Sequence, residues 1–286
     1  MIYIKLDGRL GNNLFQIAAG VSLAKKLSVA YKAVPLDKEY ADQFKQSIFR
    51  KIDFQETFPE NLFIYKEPCF KYRQIPLQSD MIIDGFFQSE KYFDKELVRA
   101  LFEIDEDIRS YINQKYRSVL DRSPVSIHVR RGDYLELQEY YPICRMNYYK
   151  KAMKHFPPDT TYLIVSDDID WCKMNFKGDN FFFSENETPL TDLYLQSFCT
   201  HNIISNSTFA WWGAWLNPNP DKKVIYPSPW FGFYYRNYNT KDLCPPEWVQ
   251  VTIPGILRRF VSNSFFFIKI HARSVCRRII NYTRMI

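Results

Sequence analysis

One stretch decides the fold of this 286-residue chain, and it reads Pro124-Val125-Ser126-Ile127-His128-Val129-Arg130-Arg131-Gly132-Asp133-Tyr134. Apolar and polar residues alternate up to Val129, which predicts a half-buried strand, and Gly132 then breaks the pattern as turn residues do. The two arginines therefore follow a strand at its carboxyl end, the edge where open α/β sheets bind ligands. Their planar guanidinium groups suit phosphate oxygens, although an exposed basic turn beside a satisfied histidine explains the same residues without a ligand.

Strands alternate with helices along most of the chain. We expect strands at residues 1–6, 81–87, 125–129, 161–165, 180–183, 201–204 and 223–226. We expect helices at residues 14–27, 92–100, 106–120, 147–155, 171–175, 189–199 and 209–216. This alternation indicates an α/β fold with a parallel sheet. Residues 35–80 show no period, which indicates loops and short helices, and the polar stretch 121–124 marks a domain boundary.

Three of the predicted strands end in small polar or charged residues. The ends read Arg130-Arg131-Gly132-Asp133, Ser166-Asp167-Asp168 and Ser205-Asn206-Ser207-Thr208. Arginines supply a phosphate clamp, hydroxyls and amides ahead of a helix bind a second phosphate, and the acidic pair accepts hydrogen bonds from a base or a ribose. Together these groups fit a nucleoside diphosphate. The acidic pair has an alternative role as a helix cap, and the pair Trp211-Trp212 is interpreted as core.

No metal motif accompanies these residues. Asp167 and Asp168 lack the spacing of a DxD-type motif. We therefore expect arginine to take the place of a metal ion and to stabilise a departing diphosphate.

A glycine-containing turn follows the first predicted strand and reads Gly8-Arg9-Leu10-Gly11-Asn12. Two glycines three residues apart let the backbone approach a ligand and present amides at a helix N-terminus. The spacing matches neither the dinucleotide-binding GxGxxG nor a P-loop. An ordinary tight turn explains the same residues equally well.

The positive charge of the chain is concentrated in its last part. The net charge is +6, from 38 basic and 32 acidic residues, but no Asp or Glu follows Glu247 while seven basic residues do. Residues 1–247 are therefore close to neutral, which argues against an extended nucleic-acid-binding face. The six cysteines form no CxxC and no zinc spacing with His, which is typical of inert thiols in a reducing compartment.

Four motifs together resemble the α-1,2-fucosyltransferases of glycosyltransferase family 11. They occur in that family's order, cover about residues 1–230, and read Gly8-Arg9-Leu10-Gly11-Asn12, His128-Val129-Arg130-Arg131-Gly132-Asp133-Tyr134, Ser166-Asp167-Asp168 and Ser205-Asn206-Ser207-Thr208-Phe209-Ala210-Trp211-Trp212-Gly213. Asn13 stands where the family usually has Gln, which puts only local contacts in doubt. Residues after about 250 match nothing in the family's core.

The resemblance implies a fold of the glycosyltransferase B type, with two Rossmann-like domains that face a cleft. We expect a mainly acceptor-side domain at residues 1–122, a donor-binding domain at 123–250 and a basic amphipathic tail at 251–286. The resemblance also implies an inverting enzyme that moves L-fucose from GDP-fucose to the 2-hydroxyl of a terminal β-galactose in a surface glycan, such as a lipopolysaccharide or capsule repeat. No metal and no other cofactor is implied.

The resemblance also assigns roles to individual residues, with Arg130 at the β-phosphate as a catalytic group. The implied donor-binding residues are Gly8, Gly11, Asn12, His128, Arg130, Arg131, Asp167, Asp168, Asn206, Ser207 and Thr208. In this arrangement the glycine turn closes over the donor, while His128 and the acidic pair lie near the guanosine. The general base stays open between Asp133, Glu136 and Glu139, and Asp133 is taken as the catalytic candidate.

Two other functions fit parts of the sequence. A nucleic-acid-binding module would use the basic and aromatic residues, but the near-neutral charge of residues 1–247 argues against it. A catalytically inactive sugar-binding protein would share the same motifs. Hydrolysis or transfer of the donor sugar distinguishes an enzyme from this second alternative.

The C-terminal tail combines many apolar residues with seven cations and no acid. Its apolar runs are too interrupted by Arg and Lys to span a bilayer. A basic amphipathic segment of this kind lies on an anionic membrane surface, although packing back onto the body explains the apolar residues as well. Because no signal peptide is expected ahead of the first strand, we place the protein in the cytoplasm, with peripheral contact at the inner face of the plasma membrane.

We predict that the full-length protein co-sediments with anionic liposomes at low salt, since each cation near such a surface contributes about 1 kcal/mol. Rising salt should release it. A variant that ends near residue 250 should stay in solution and remain active on a soluble galactoside. Unfolding or aggregation of the shortened variant would show instead that the tail packs onto the body.

Overall fold

The computed structural model describes residues 1–253, and the predicted membrane-binding tail at 254–286 lies outside the described residues. The strands are β1 (Ile2–Leu6), β2 (Tyr31–Pro35), β3 (Phe63–Lys66), β4 (Met81–Asp84), β5 (Val125–Val129), β6 (Tyr162–Ser166), β7 (Phe181–Phe183), β8 (His201–Ile203), β9 (Val224–Ser228) and β10 (Val249–Thr252). The helices are α1 (Leu10–Leu27), α2 (Lys38–Asp42), α3 (Lys95–Leu101), α4 (Glu106–Lys115), α5 (Arg117–Leu120), α6 (Met146–Met153), α7 (Ile169–Asn175), α8 (Pro189–Phe198) and α9 (Thr208–Leu216).

The strands form two separate parallel sheets. The first has the order β2-β1-β4-β3, and the second has the order β10-β9-β8-β5-β6-β7. Every strand pairing in both sheets is parallel. The chain completes the first sheet before it enters the second at β5. The prediction of an α/β fold with parallel strands is therefore confirmed.

The structure corrects the expectation of a half-buried strand at residues 125–129. β5 lies between β8 and β6 in the interior of the second sheet, and all five of its residues are buried. Interior parallel strands are covered on both faces, so even the polar residues of β5 face inward. They are tolerated there because they are hydrogen-bonded: the Nδ2 of Asn202 donates to Ser126 Oγ at 2.7 Å.

Several elements differ from those predicted. β2, β3 and β10 were not expected, and β3 is an edge strand whose residues are mostly exposed and show no alternation. Helix α1 begins at Leu10 rather than at residue 14. The second glycine of the predicted turn, Gly11, therefore belongs to the first turn of a helix.

Helices α1 and α9 join the two sheets through an aromatic contact. The ring of Phe15 lies 4.5 Å from that of Trp211 and 4.9 Å from that of Trp212, measured between centroids. Trp212 Nε1 donates to the carbonyl oxygen of Gly11 at 3.0 Å. Both tryptophans are fully buried, which confirms their interpretation as core residues. A Cβ on Gly11 would lie 2.5 Å from the Phe209 nitrogen, so glycine is required for this approach.

The second sheet continues past the expected domain boundary at residue 250. β10 extends to Thr252, and the N–H of Ile253 donates to the carbonyl oxygen of Ser228 at 2.8 Å. A variant shortened for the liposome measurement therefore needs to retain residues up to Ile253. Within residues 1–253, no helix is both long enough and apolar enough to cross a membrane.

Candidate active site

Arg130 follows β5 at its carboxyl end and is held by two carboxylates. Its Nη2 lies 2.6 Å from Asp133 Oδ1, and its Nη1 lies 3.0 Å from Asp167 Oδ2. Charge-assisted bonds of this kind fix the orientation of the guanidinium group. The side chain nevertheless keeps 33% of its surface exposed, so an anionic ligand can reach it.

Arg131 is less exposed than Arg130, with 15% of its side-chain surface accessible. Its Nε donates to Asp168 Oδ2 at 2.8 Å, and its guanidinium lies 4.2 Å from the centroid of the Trp171 ring. The N–H of Arg131 donates to Asp167 Oδ1 at 2.8 Å. Asp168 Oδ1 also accepts the N–H of Trp171 at 3.2 Å, which confirms a helix-capping role for this carboxylate. The acidic pair thus holds both arginines in place, and its contact with guanosine stays a prediction.

His128 is buried in β5 and is positioned by the neighbouring strand end. Its Nδ1 lies 2.9 Å from Ser205 Oγ, and its ring lies 5.7 Å from that of Phe209. Burial, and secondarily the charge of Arg130, lowers the pKa of His128 from 6.5 to about 3. The imidazole is therefore neutral at physiological pH and does not add to the positive charge of the site.

The N-terminus of α9 is linked to Arg130 through one tyrosine. Ser207 is the N-cap residue, its side chain makes no capping hydrogen bond, and the first turn contains no acidic residue. Tyr134 connects this helix start to Arg130, because its ring lies 5.4 Å from the guanidinium and its hydroxyl donates to the Asn206 carbonyl oxygen at 3.1 Å. The side-chain amide of Asn206 is buried and donates to the Trp230 carbonyl oxygen at 3.0 Å, which fixes the loop ahead of α9.

The N-terminus of α1 meets that of α9 at this point. Gly8 has a φ of +84°, a left-handed conformation that glycine adopts without strain. Arg9 is the N-cap residue of α1, without a capping hydrogen bond and without an acidic residue in the first turn. A Cβ on Gly11 would lie 2.6 Å from Thr208 Oγ1, so the two helix starts are in direct contact. Helix N-termini carry partial positive charge, and two of them side by side, without an acidic residue in either first turn, favour an anion.

Tyr40 belongs to the site although the sequence pattern did not indicate it. The Arg9 guanidinium lies 4.8 Å from the centroid of the Tyr40 ring, and the Tyr40 hydroxyl accepts the N–H of Leu10 at 3.0 Å. Burial raises the pKa of Tyr40, while the charges of Arg9 and Arg130 lower it, so both cations act on the same phenol. Tyr40 lies in residues 35–80, whose sequence shows no periodic pattern, so nothing there indicated it. Arg9 could have been recognised, because it is a cation that lies between the two glycines of the turn.

Arginine side chains and helix starts place positive charge in the described site. Within residues 1–253, no three His, Cys, Asp or Glu side chains come together in a way that could hold a metal ion. Arg9, Arg130 and the two helix starts supply positive charge and hydrogen-bond donors at one place. Such a set can neutralise the charges of two linked phosphates.

The family of the chain follows from a match that covers most of its length. The model of the family described as glycosyl transferase family 11 matches residues 1–252. The chain belongs to glycosyltransferase family 11. It is therefore a glycosyltransferase, and the resemblance carried by the four sequence motifs is confirmed.

Three relatives are 26%, 29% and 30% identical to the chain over the aligned residues. The O-antigen biosynthesis glycosyltransferase WbnK of Escherichia coli is 26% identical over 87% of this chain and 100% of the relative. The alpha-1,2-colitosyltransferase of Escherichia coli is 29% identical over 88% of this chain and 99% of the relative. Galactoside alpha-(1,2)-fucosyltransferase 1 of Aotus azarae is 30% identical over 73% of this chain and 63% of the relative.

Solved structures with a similar fold include fucosyltransferases. The NodZ alpha-1,6-fucosyltransferase soaked with GDP-fucose superposes with a TM-score of 0.51 and 16% identity, over 80% of this chain and 94% of that chain. A second structure of NodZ, from Bradyrhizobium, has a TM-score of 0.51 and 15% identity, over 74% of this chain and 91% of that chain. At this level of identity the similarity is one of fold, and it supports the mixed α/β architecture with parallel sheets.

We predict that His128 makes the stability of the protein depend on pH. The folded pKa is about 3 and the ordinary value is 6.5, so between these values the folded state binds fewer protons than the unfolded state. The contribution of His128 to the free energy of unfolding is therefore fully present above about pH 6.5 and is lost as the pH falls. Between about pH 7.5 and pH 5.5 the loss amounts to about 1.4 kcal/mol. The free energy of unfolding, measured with urea at both pH values, should fall by about 1.4 kcal/mol less in His128→Asn than in the wild type. Equal losses in the two proteins would contradict the prediction.

Proposed function

We propose that this glycosyltransferase moves L-fucose from GDP-fucose to the 2-hydroxyl of a terminal β-galactose, with inversion at the anomeric carbon. The observation that carries the proposal is that Tyr134 links Arg130 to the start of α9, which is itself in contact with the start of α1. The donor carries its negative charge on two phosphates, and guanidinium and helix amides are suitable donors for both. The relatives named alpha-1,2-colitosyltransferase and galactoside alpha-(1,2)-fucosyltransferase support an α-1,2 linkage.

The proposal includes a glycosyltransferase B type arrangement of two Rossmann-like domains. Residues 1–122 would form the mainly acceptor-side domain and residues 123–250 the donor-binding domain, with a cleft between the carboxyl edges of the two sheets. Two parallel sheets, and the contact between a helix start from each of them, support this arrangement. The fold similarity to NodZ supports it as well.

In the proposed donor complex, the phosphates lie between Arg130 and the two helix starts. Ser207 and Thr208 contribute hydroxyls and amides from α9, and the turn from Gly8 to Asn12 closes over the donor. His128, Asp167 and Asp168 lie toward the guanosine. An ionised carboxylate offers about four acceptor positions, so a carboxylate bonded to arginine can still accept an N–H of the base.

The proposed reaction depends on charge that develops at the leaving group. As the bond from fucose to GDP breaks, negative charge grows on the β-phosphate, and Arg130 and the helix amides stabilise it without reorganising. The carboxylates of Asp133 and Asp167 hold Arg130 in the required orientation before the donor arrives. An acceptor hydroxyl attacks from the opposite face and gives its proton to a base. We propose Asp133 for this base, provided that it exchanges its bond with Arg130 for the acceptor hydroxyl, with Glu136 and Glu139 as the alternatives.

The acceptor is proposed to bind at the carboxyl edge of the first sheet. Leu36 and Phe86 follow β2 and β4 at this edge, and 55% and 39% of their surfaces are exposed. Binding sites combine apolar lining residues with a few placed polar groups, and apolar side chains pack against the C–H faces of sugars. The loop at 135–145 supplies a further exposed aromatic residue, Tyr140, on the side of the second sheet.

Colitose is a second candidate for the transferred sugar. The observation that favours it is the relative named alpha-1,2-colitosyltransferase, which matches 88% of this chain. Colitose is L-fucose without the 3-hydroxyl group, so both GDP-sugars present the same diphosphate to Arg130 and to the helix starts. Discrimination between them therefore belongs to contacts with the sugar ring rather than with the phosphates.

The proposed location is the cytoplasm, with peripheral membrane contact through residues 254–286. A position at the inner face of the membrane would bring the enzyme to lipid-linked acceptors of a surface glycan. The relative named as an O-antigen biosynthesis glycosyltransferase supports such an acceptor class.

The direct test of the proposed function is a transfer assay with a small panel of galactosides. We expect GDP-fucose and a terminal β-galactoside to give a product heavier by one fucose, with an α-1,2 linkage by NMR. Faster transfer from GDP-colitose would assign the second candidate sugar. Binding of GDP-fucose without transfer or hydrolysis would support a sugar-binding protein, and failure to bind either donor would overturn the proposal.

Arg130→Lys should lower kcat/KM by about 10²–10³, because loss of one donor that is strongest in the transition state costs about 2.7–4 kcal/mol. Lysine keeps the charge but lacks the bidentate fork. Steady-state kinetics and thermal unfolding should show loss of activity with the fold retained. The matched control is Arg117→Lys in α5, whose arginine side chain is 81% exposed and which should keep full activity. Near-normal turnover of Arg130→Lys would remove Arg130 from the proposed role.

Transfer should continue in excess EDTA, because arginine and helix amides are proposed to supply the positive charge at the leaving diphosphate. Initial rates measured with and without the chelator test this directly. If chelation abolished transfer and added Mg²⁺ or Mn²⁺ restored it, a metal ion would be needed at the diphosphate and the proposed role of arginine would be wrong.

A further inference from the structure

We propose that Gln88 is a positioning residue that acts through Asn12 on the donor phosphates, an inference that rests on the proposed function. Gln88 follows β4 at the carboxyl edge of the first sheet and is only 7% exposed. Its Nε2 donates to Asn12 Oδ1 at 3.0 Å. Asn12 is in the first turn of α1 and is partly exposed. The buried side chain of Gln88 therefore holds the Asn12 side chain, which lies at the surface of the site.

The hydrogen bond from Gln88 determines which end of the Asn12 amide is presented. An amide side chain carries an acceptor oxygen on one side and an NH₂ donor on the other. With Oδ1 bonded to Gln88, the Nδ2 of Asn12 lies over Gly8, where an added Cβ would come within 2.6 Å of it. The N–H donor therefore lies at the turn that is proposed to close over the diphosphate. The opposite orientation would place an oxygen next to phosphate oxygens.

The segment that carries Gln88 is itself fixed by a partly buried carboxylate. Glu67 Oε2 accepts the N–H groups of Phe86 at 2.8 Å and of Phe87 at 3.0 Å. These bonds turn the chain away from β4 immediately ahead of Gln88. The Glu67 side chain thereby sets the position from which Gln88 reaches Asn12.

The burial of Gln88 has a cost that a purely structural residue would avoid. Among the residues that the structure describes, its Oε1 is buried and has no hydrogen-bond partner. An unsatisfied buried acceptor destabilises the folded state, and methionine would fill the same space without that cost. Glutamine is therefore best explained by its donor group, which methionine lacks.

Three variants separate this role from simple packing. Gln88→Met keeps the size but cannot orient Asn12, so GDP should bind about three- to tenfold more weakly. Gln88→Glu offers only acceptors near neutral pH and should turn the Asn12 oxygen toward the phosphates, which we expect to weaken GDP binding by more than about tenfold, a change typical of a lost bond to a charged group. Calorimetric titration with GDP measures both effects. Asn12→Ala provides the background in which each Gln88 change should alter the dissociation constant by less than about twofold.

The outcomes distinguish this inference from the proposed function. Absence of GDP binding by the wild type would overturn the proposed function and the role of Gln88 with it. GDP binding by the wild type and equally tight binding by both Gln88 variants would overturn the role of Gln88 alone. Equal weakening with and without Asn12→Ala would also overturn it, because Gln88 would then act independently of Asn12. If thermal unfolding shows that Gln88→Glu does not fold, the comparison of Gln88→Met with and without Asn12→Ala decides.

Discussion

The contact between the first turns of α1 and α9 is the constraint on which the rest of this structure depends. Each helix follows a strand of a different sheet, so their contact brings the carboxyl ends of β1 and β8 together. Gly11 allows the approach, and the Trp212 indole holds it through a hydrogen bond to the Gly11 carbonyl oxygen. The consequence is electrostatic: the positive ends of two helices, neither of them capped by an acidic residue, lie at one place.

Positive charge collected in this way needs compensation when no anion is present. Asp133 and Asp167 supply it to Arg130, and Asp168 supplies it to Arg131. His128 stays neutral because burial lowers its pKa, so it adds no further repulsion. The carboxylates thus serve two purposes, since they balance the arginines and fix the orientation in which a diphosphate would meet them.

The sequence predicted those features that depend on neighbouring residues. Buried strands bounded by polar turns were recognisable, and so was the arginine pair that follows β5. Contacts between distant residues could not be recognised in the sequence. His128 can be buried because its ring bonds to Ser205, and the bond from Gln88 to Asn12 joins segments that follow two different strands. β3 was missed because an exposed edge strand has no alternating pattern.

Hydrogen exchange with and without GDP tests the central claim most directly. If one diphosphate binds to both helix starts, saturating GDP should slow amide exchange in peptides covering residues 8–12 and in peptides covering residues 205–209 at the same time. Exchange in α4, which contains none of the proposed donor-binding residues, should not change and serves as the internal control. Protection confined to residues 205–209, with GDP bound and residues 8–12 unaffected, would contradict a site built from two helix N-termini.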